Sequence, residues 1–333
     1  MATIKDVANL ANVSSATVSR ILNNDKTLSV PNETKQAVFD AAKKLNYTKK
    51  RKTNKGDFTL GIVQWYSLQQ EIDDPYYLQV RQGIENFCLQ YNINVIRTFK
   101  TDLNYLETLK NVDGLICIGK FSNEEIVKFK KITNKIIFLD MLSFHNNDST
   151  ITLDFDHAIK TALDYLKALN HQKIGFLGGK EYLDDQTVYL DQRKEVFINY
   201  CKENNITYQP YFLEDQFTSE SGYAMMVEMI NNHDLPTALI CASDPIAIGA
   251  LRALQEHHIK VPDDISIIGF DDIKAASFTT PPLTTIYAPA TLMGEYGASI
   301  VYHILSKYPL PTPMKIVLPC TLIERESCKQ AKA

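Results

Sequence analysis

The chain has 333 residues, of which 45% are hydrophobic and 22% are charged, and its formal net charge at pH 7 is −4. This length is enough for two or three packed domains, and the composition excludes a disordered chain or a fibrous protein. No apolar run approaches the roughly 18 residues that a membrane-spanning helix needs. The first residues lack the basic and apolar regions of a signal peptide, so we expect a cytoplasmic protein.

The charge is distributed unevenly along the chain. Residues 1–57 hold 11 Lys and Arg against 5 Asp and Glu, a net charge of +6, which leaves 24 basic and 34 acidic residues, or −10, for residues 58–333. A small basic head on an acidic body indicates that only the head binds a polyanion.

The pattern of the head predicts three short helices. Apolar residues at helical spacing indicate a helix over residues 4–11, and a second helix from Ser15 to about Asn23 with Ser14 as its N-cap. A third helix follows Pro31, which suits a first helical turn. Two helices joined by a tight turn are typical of the helix-turn-helix, whose second helix lies in the DNA major groove. The same pattern also fits a three-helix bundle with a solvated basic face.

A helix-turn-helix would place the second helix against DNA. Arg20 can donate two hydrogen bonds to guanine, and the small Ala16 can contact a thymine methyl group. The predicted DNA contacts come from the helix-turn-helix and from the basic segment after it, and they are Ser14, Ser15, Ala16, Thr17, Ser19, Arg20, Asn23, Lys49, Lys50, Arg51 and Lys52.

The segment over residues 48–56 is polar and basic and has no apolar residue, so it cannot pack and should be mobile when free. Its cations could follow phosphates or enter a narrow A·T-rich minor groove. It could equally be a solvated tether.

The acidic body alternates short apolar runs with amphipathic helical patterns. The predicted strands cover residues 60–63, 94–97, 114–118, 135–139, 173–177, 238–241, 265–269 and 321–325. The predicted helices include residues 80–90, 158–169, 188–203, 219–231 and 247–256. Such alternation predicts an α/β fold with parallel sheets covered on both faces, and the two series of strands predict two subdomains. A ligand cleft is expected at the carboxyl ends of their strands.

The sequence offers no chemistry for an enzyme. It contains no GxGxxG, P-loop, GxSxG or HExxH motif, and its seven histidines lack metal-site spacing. The six cysteines are scattered and never form CxxC, so we expect reduced core thiols, with neither a metal nor a cofactor.

The head resembles the lac/gal repressor family of bacterial transcription regulators. The resemblance rests on Ile4-Lys-Asp-Val-Ala8, Ala11-Asn-Val-Ser14, Thr17-Val-Ser-Arg-Ile-Leu-Asn23 and Val30-Pro-Asn-Glu-Thr34. It continues in the body through Gly175-Phe-Leu-Gly-Gly179, Ala242-Ser-Asp244, Ile268-Gly-Phe-Asp-Asp272 and Pro281-Pro-Leu-Thr-Thr285. It implies a DNA-binding head on a periplasmic-binding-protein-like core, a homodimer on an inverted-repeat operator, and a small sugar as effector.

The chain departs from the family in its linker. Family members usually have a hinge helix with an Ala-Arg-x-Leu core, whose leucine enters the minor groove. No such leucine is present here, and the linker is several residues shorter, so leucine intercalation is not expected.

The resemblance also implies an effector site at residue level, made of Tyr76, Tyr77, Asp140, Arg193, Phe217, Ser243 and Asp271. Arg193 and Asp271 suit the vicinal hydroxyls of a sugar, although buried Arg–Asp pairs also serve structure alone. Phe217 falls where the family places an aromatic ring against the sugar, or it belongs to the core. Both tyrosines match a pair near the mouth of the cleft.

Three domains follow from the segments that cross between the two series of strands. They are the head with its linker, residues 1–57, a first subdomain of residues 58–156 with 288–318, and a second of residues 157–287 with 319–333.

Within the family the chain is most similar to galactose-operon repressors of low-GC Gram-positive bacteria, which implies galactose as effector. The rival within the family is a catabolite-control regulator with a phosphocarrier protein as corepressor. Outside it, the rivals are a sugar-binding module and a sugar-modifying enzyme.

Overall fold

The computed structural model describes residues 3–22, 28, 30–45, 47, 58–142, 147–183, 187–232, 234–306 and 313–332. The chain forms two compact units, Met1–Asn54 and Lys55–Ala333. Asn23 and the four linker cations predicted to contact DNA lie outside the described residues.

The first unit contains the three predicted helices, which are α1 Ile4–Leu10, α2 Ser15–Leu22 and α3 Asn32–Lys44. Thr3 begins α1 with a capping box, in which its hydroxyl accepts from the Asp6 N–H while the Asp6 carboxylate accepts from the Thr3 N–H. The three helices share a small core whose centre is the fully buried Val7, Val18 and Val38. Each helix therefore contributes one of these side chains to the core, and their burial holds this small unit together.

The second unit alternates helices and strands. Its helices are α4 Leu68–Asp73, α5 Tyr76–Tyr91, α6 Tyr105–Thr108, α7 Asn123–Ile132, α8 Phe155–Ala168, α9 Gln192–Glu203, α10 Ser219–Asn231, α11 Asp244–Glu256 and α12 Ala290–Leu305. Its strands are β1 Thr59–Gln64, β2 Asn94–Phe99, β3 Gly114–Ile118, β4 Ile136–Leu139, β5 Ser149–Leu153, β6 Ile174–Gly179, β7 Glu181–Tyr182, β8 Val188–Tyr189, β9 Phe212–Asp215, β10 Ala238–Cys241, β11 Ser266–Asp271, β12 Thr284–Tyr287, β13 Lys315–Leu318 and β14 Thr321–Ile323.

These strands form two six-stranded sheets and one hairpin. The first sheet has the order β13-β5-β4-β3-β1-β2, and all of its pairs are parallel. The second has the order β14-β12-β11-β10-β6-β9 and is parallel except where β14 pairs with β12. Strands β7 and β8 form a separate antiparallel hairpin. The predicted α/β fold with two series of parallel strands is confirmed.

The close packing of α5 against α12 depends on glycine. A Cβ on Gly83 of α5 would lie 2.0 Å from the carbonyl oxygen of Thr291, and one on Gly294 of α12 would lie 1.9 Å from that of Val80. Only glycine therefore lets the backbones of α5 and α12 approach this closely. This packing fixes α5, whose first turn carries Tyr76 and Tyr77.

Every predicted strand coincides with an observed one, with ends that differ by at most two residues. The prediction of a helix from Val188 is wrong, because Val188 and Tyr189 form strand β8 and the helix begins at Gln192. The side chain of Asp191 accepts a hydrogen bond from the Arg193 N–H at 2.9 Å and so sets the start of α9. None of the helices in the described part of the chain is long and apolar enough to span a membrane.

Candidate functional site

The first turn of α2 presents the predicted DNA-binding residues. The Ser14 hydroxyl accepts a hydrogen bond from the Thr17 N–H at 3.1 Å, so the predicted cap is present. Asn12 has a φ of 51° in the tight turn before it, a conformation that asparagine tolerates well. Ala16 and Arg20, one helical turn apart, are exposed on the face of α2 opposite the buried Val18. A helix-turn-helix with this exposed face can enter a major groove.

Within the second unit, a cavity lies where strands of both sheets end. It encloses about 590 Å³, counting the part that opens to solvent, which is within the usual range for small-molecule sites. Six of the seven predicted effector residues line it, namely Tyr76, Tyr77, Asp140, Arg193, Phe217 and Asp271. Residues more than 190 positions apart in sequence therefore meet at one site.

Ser243 is the predicted residue that does not line the cavity. It is the N-cap of α11, and its buried hydroxyl accepts a hydrogen bond from the Ile246 N–H at 3.4 Å. Because that bond orients the hydroxyl along the helix, a contact between Ser243 and the ligand stays a prediction.

Arg193 is held rigidly at the start of α9. Its Nε donates to both carboxylate oxygens of Asp191, at 2.9 and 3.1 Å, and its Nη1 donates to the carbonyl of Ala242 at 2.5 Å. No described residue accepts a hydrogen bond from its Nη2. The Asp191 carboxylate, opposing the effect of burial, holds the pKa of Arg193 above its ordinary value. The guanidinium is thus permanently charged, with one nitrogen available to a ligand.

Three aromatic rings surround that guanidinium. Its Cζ lies 5.0 Å from the ring centroid of Phe217 and 5.3 Å from those of Phe155 and Phe270. Phe217 packs directly over Gly179 at the end of β6, where an added Cβ would lie 2.2 Å from the ring. Phe217 is 8% exposed and lines the cavity, so it belongs both to the core and to the wall of the site.

On the opposite side, Asp140 accepts two strong hydrogen bonds. The Tyr77 hydroxyl donates to its Oδ2 at 2.7 Å, and Lys120 Nζ lies 2.6 Å from the same oxygen. Its other oxygen, Oδ1, is buried and has no partner among the described residues. A buried acceptor without a donor costs about 1–3 kcal/mol, so this oxygen marks a place where a ligand hydroxyl would be stabilising.

Asp140 and Asp271 occupy matching positions in the two sheets. Each follows or ends a central strand, β4 or β11, and each has a positive φ, 59° and 106° respectively. Such backbone is uncommon for a residue with a side chain and is often found at functional sites. No described residue donates a hydrogen bond to the Asp271 carboxylate.

Buried acids crowd this cavity. Burial, with the nearby Asp74 and Asp244 carboxylates, raises the pKa of Asp271 well above its ordinary value, and Arg193 only partly opposes this. Burial likewise raises the pKa of Asp74 to about 6 and that of Glu181 to about 7. The site therefore holds acceptors whose charge is poorly compensated by protein donors.

Sequence reasoning missed the polar lining residues Lys120, Asp74, Glu181, Tyr189 and Asp191. Lys120 lies two residues after the end of β3, so its position at the carboxyl end of a strand is the signal that could have found it. Glu181 and Tyr189 come from the hairpin, whose pairing was not predicted. The structural Arg–Asp pair considered as an alternative does exist, but the partner of Arg193 is Asp191 rather than Asp271.

Comparison with known proteins agrees with this arrangement. Residues 3–50 match the family model of bacterial regulatory proteins of the lacI family, and residues 163–328 match that of a periplasmic binding protein-like domain. The transcriptional regulator GalR of Streptococcus thermophilus is 39% identical over 329 residues, which is 97% of this chain and 98% of that protein. The repressor MelR of Bacillus subtilis is 34% identical over 342 residues, covering 98% of each.

Solved structures show the same fold. The lac repressor dimer bound to operator and the anti-inducer ONPF matches with a TM-score of 0.71 and 26% identity, over 98% of this chain and 99% of that one. The complex of the regulator CelR with cellobiose matches with a TM-score of 0.72 and 23% identity, over 98% and 100%.

The helix-turn-helix head, the family matches and the relatives named as transcription regulators together define a DNA-binding transcription regulator rather than an enzyme. The chain belongs to the lacI family of bacterial regulatory proteins. The names of its relatives favour a regulator of sugar operons over the catabolite-control alternative.

Proposed function

We propose that this regulator represses a galactose-utilisation operon and that free galactose is its effector, bound in the cavity between the two halves of the core. Two relatives named GalR support this proposal. They are the transcriptional regulators of Streptococcus thermophilus and Lacticaseibacillus casei, which are 39% and 34% identical to this chain. The protein would act in the cytoplasm, where operator DNA is found.

The charge of the cavity supports a neutral polyhydroxy ligand. Its ionisable acids are Asp74, Asp140, Glu181, Asp191 and Asp271, against the two cations Lys120 and Arg193. Carboxylates accept hydrogen bonds from sugar hydroxyls, whereas a phosphorylated sugar would bring further negative charge into a site that holds five acids against two cations.

The observation that carries the proposal is the pair of acids at the ends of the two sheets. Asp140 Oδ1 is buried without a partner among the described residues, and the Asp271 carboxylate lacks a described donor as well. Ring hydroxyls would supply donors to both, with Phe217 against the apolar face of the ring and Arg193 Nη2 donating to a ring oxygen.

Control of DNA binding then follows from the two subdomains, which we assign to residues 58–156 with 288–318 and 157–287 with 319–333. A ligand held by both halves favours one of their arrangements, and only such a difference in affinity can shift an equilibrium. Two protomers would bind an inverted-repeat operator, because one helix-turn-helix contacts too few base pairs for genomic specificity. Galactose would lower operator affinity and relieve repression.

A thermal-shift screen of the full-length protein tests the proposed ligand. At about a hundred times its dissociation constant, galactose should add roughly 2.7 kcal/mol to the free energy of unfolding and raise the melting temperature. Galactose 6-phosphate is the matched control and should have no effect. A larger shift with the phosphorylated sugar, or none with any monosaccharide, would show that the assignment is wrong.

A further inference from the structure

A second, wider groove adjoins the cavity. It encloses about 2430 Å³, counting its open part, and is lined by residues of α7, α8 and α9 together with the hairpin. Seven residues line both spaces, namely Leu142, Thr152, Leu153, Phe155, Tyr189, Leu190 and Gln192. A side chain that lines two adjoining spaces stands between them, so these residues form a partition.

Tyr189 closes the partition from the side of the hairpin. Its hydroxyl accepts a hydrogen bond from the Leu142 N–H at 3.1 Å, and Leu142 follows β4 of the first sheet. Its ring also lies 5.1 Å from Lys120 Nζ, the cation that binds Asp140. Tyr189 thus spans from the second half of the core to the first, beside the acid expected to bind the sugar.

The groove beyond the partition has the character of a sugar subsite. It combines polar side chains able to bind hydroxyls, Glu124, Glu195 and Asn199, with the exposed apolar surface of Val188 and Leu190. Sugar sites need both, since hydroxyls require hydrogen-bond partners and the ring faces are apolar.

We propose that Tyr189 is the specificity-determining residue that limits the effector to a single sugar ring. Its side chain occupies the path that a second ring, attached to the first, would take from the cavity into the groove. This proposal rests on the proposed function, since it assumes that a sugar binds in the cavity. It identifies the effector class as monosaccharides and assigns a role to a residue of the hairpin.

The test compares galactose with melibiose, in which galactose carries a second hexose on its anomeric carbon. Calorimetry on the full-length protein gives the dissociation constant for each sugar in the wild type and in Tyr189→Ala. We expect wild type to prefer galactose and the variant to reduce that preference by about tenfold or more, because truncation to Ala removes the obstructing ring.

Two further variants separate the possible causes. Tyr182→Ala makes the same truncation on the same hairpin at a side chain that is 47% exposed and lines neither space, so it should keep the wild-type preference. Tyr189→Phe keeps the ring and loses only the acceptor for the Leu142 N–H, so it should also exclude melibiose.

An unchanged preference in Tyr189→Ala, or equal binding of both sugars by wild type, would overturn the partition while leaving galactose as effector. An equal loss of preference in Tyr182→Ala would also overturn it, since loosening of the hairpin would then be the cause. If wild type binds neither sugar, the result would contradict both the proposed effector and the role of Tyr189 that rests on it.

Discussion

The helix-turn-helix head and the cavity of the second unit are assembled in opposite ways. The head draws its core from three helices within residues 4–44, and its exposed face comes from one turn of α2. The cavity draws its lining from residues between Tyr66 and Asp271, which meet only because strands of two sheets end at one place. Local periodicity is therefore enough to predict the head, whereas the cavity depends on topology.

They also differ in how they use charge. Arg20 in the head is exposed, so its side chain is in contact with solvent in the protein without DNA. Arg193 in the cavity is already desolvated and fixed by Asp191 and three aromatic rings. A ligand that binds Arg193 thus meets a preorganised and already desolvated donor, whereas DNA must displace solvent from Arg20 as it binds.

The largest expected effect is the loss of sugar binding in Arg193→Ala. A hydrogen bond to a charged group contributes about 1.5–3 kcal/mol, so the affinity for galactose should fall by about ten- to a hundredfold. Calorimetry measures the affinity, and a melting curve checks that the variant is folded.

Arg252→Ala is the control for that experiment. It removes an exposed guanidinium whose partner, Glu256, is one turn along α11, and it should change sugar affinity little. An affinity in Arg193→Ala within threefold of wild type would place the ligand elsewhere.

The second expected effect concerns the head alone. Arg20→Ala should reduce discrimination between operator and random DNA by about 1–3 kcal/mol, because a forked contact between arginine and guanine identifies the base. Lys50→Ala should weaken binding to both DNAs alike, and its salt dependence should be less steep by about one unit. Gel-shift titrations at several salt concentrations measure both quantities. Equal losses on the two DNAs in Arg20→Ala would contradict the predicted role of that residue.

The sequence predicts those parts of the structure that depend on contacts between neighbouring residues, and it predicts less where the contacts join residues distant in sequence. The α2 cap at Ser14 and the central strands of both sheets were predicted, because each is encoded by neighbouring residues. Strand β5 was missed because its pattern, Ser149-Thr-Ile-Thr-Leu153, has polar residues that are nevertheless buried. Polar residues in a fully buried strand weaken the apolar signal on which strand prediction depends.

The site follows the same rule. Six of the seven predicted residues line the cavity. The family resemblance, rather than any local pattern, made it possible to predict them. Lys120 and the hairpin residue Tyr189 were not predicted, since their roles come from contacts with Asp140 and Leu142, distant in sequence. The helix now labelled α9 was predicted to begin at Val188, so strand β8 of the hairpin was missed. The pattern around Val188 fits a helix, and only the observed cap at Asp191 shows that the helix begins after it.

The smallest expected effect is that of pH on the cavity. In the unliganded protein the pKa of Asp74 is raised to about 6 and that of Glu181 to about 7, so both bind protons between roughly pH 7 and 4 that the unfolded chain releases. The unliganded fold is accordingly stabilised as pH falls through this range.

Sugar hydroxyls stabilise the ionised carboxylates, so binding galactose should lower these pKa values and release protons. The affinity should then fall by about three- to tenfold between pH 7.5 and 5.5. Calorimetry in buffers of different ionisation enthalpy measures both the affinity and the protons released. Tighter binding at the lower pH would contradict the assignment of ionised acids to the hydroxyls.

The most direct test of the link between cavity and head is an operator-binding titration with increasing galactose, followed by fluorescence anisotropy of a labelled operator duplex. Wild type should release the operator as galactose rises. Asp271→Ala should bind the operator as wild type does without sugar and should no longer respond, because its carboxylate lies in the cavity and contacts no DNA. An undiminished response in the variant would contradict the site, and a wild type that holds the operator at every galactose concentration would contradict galactose as its inducer.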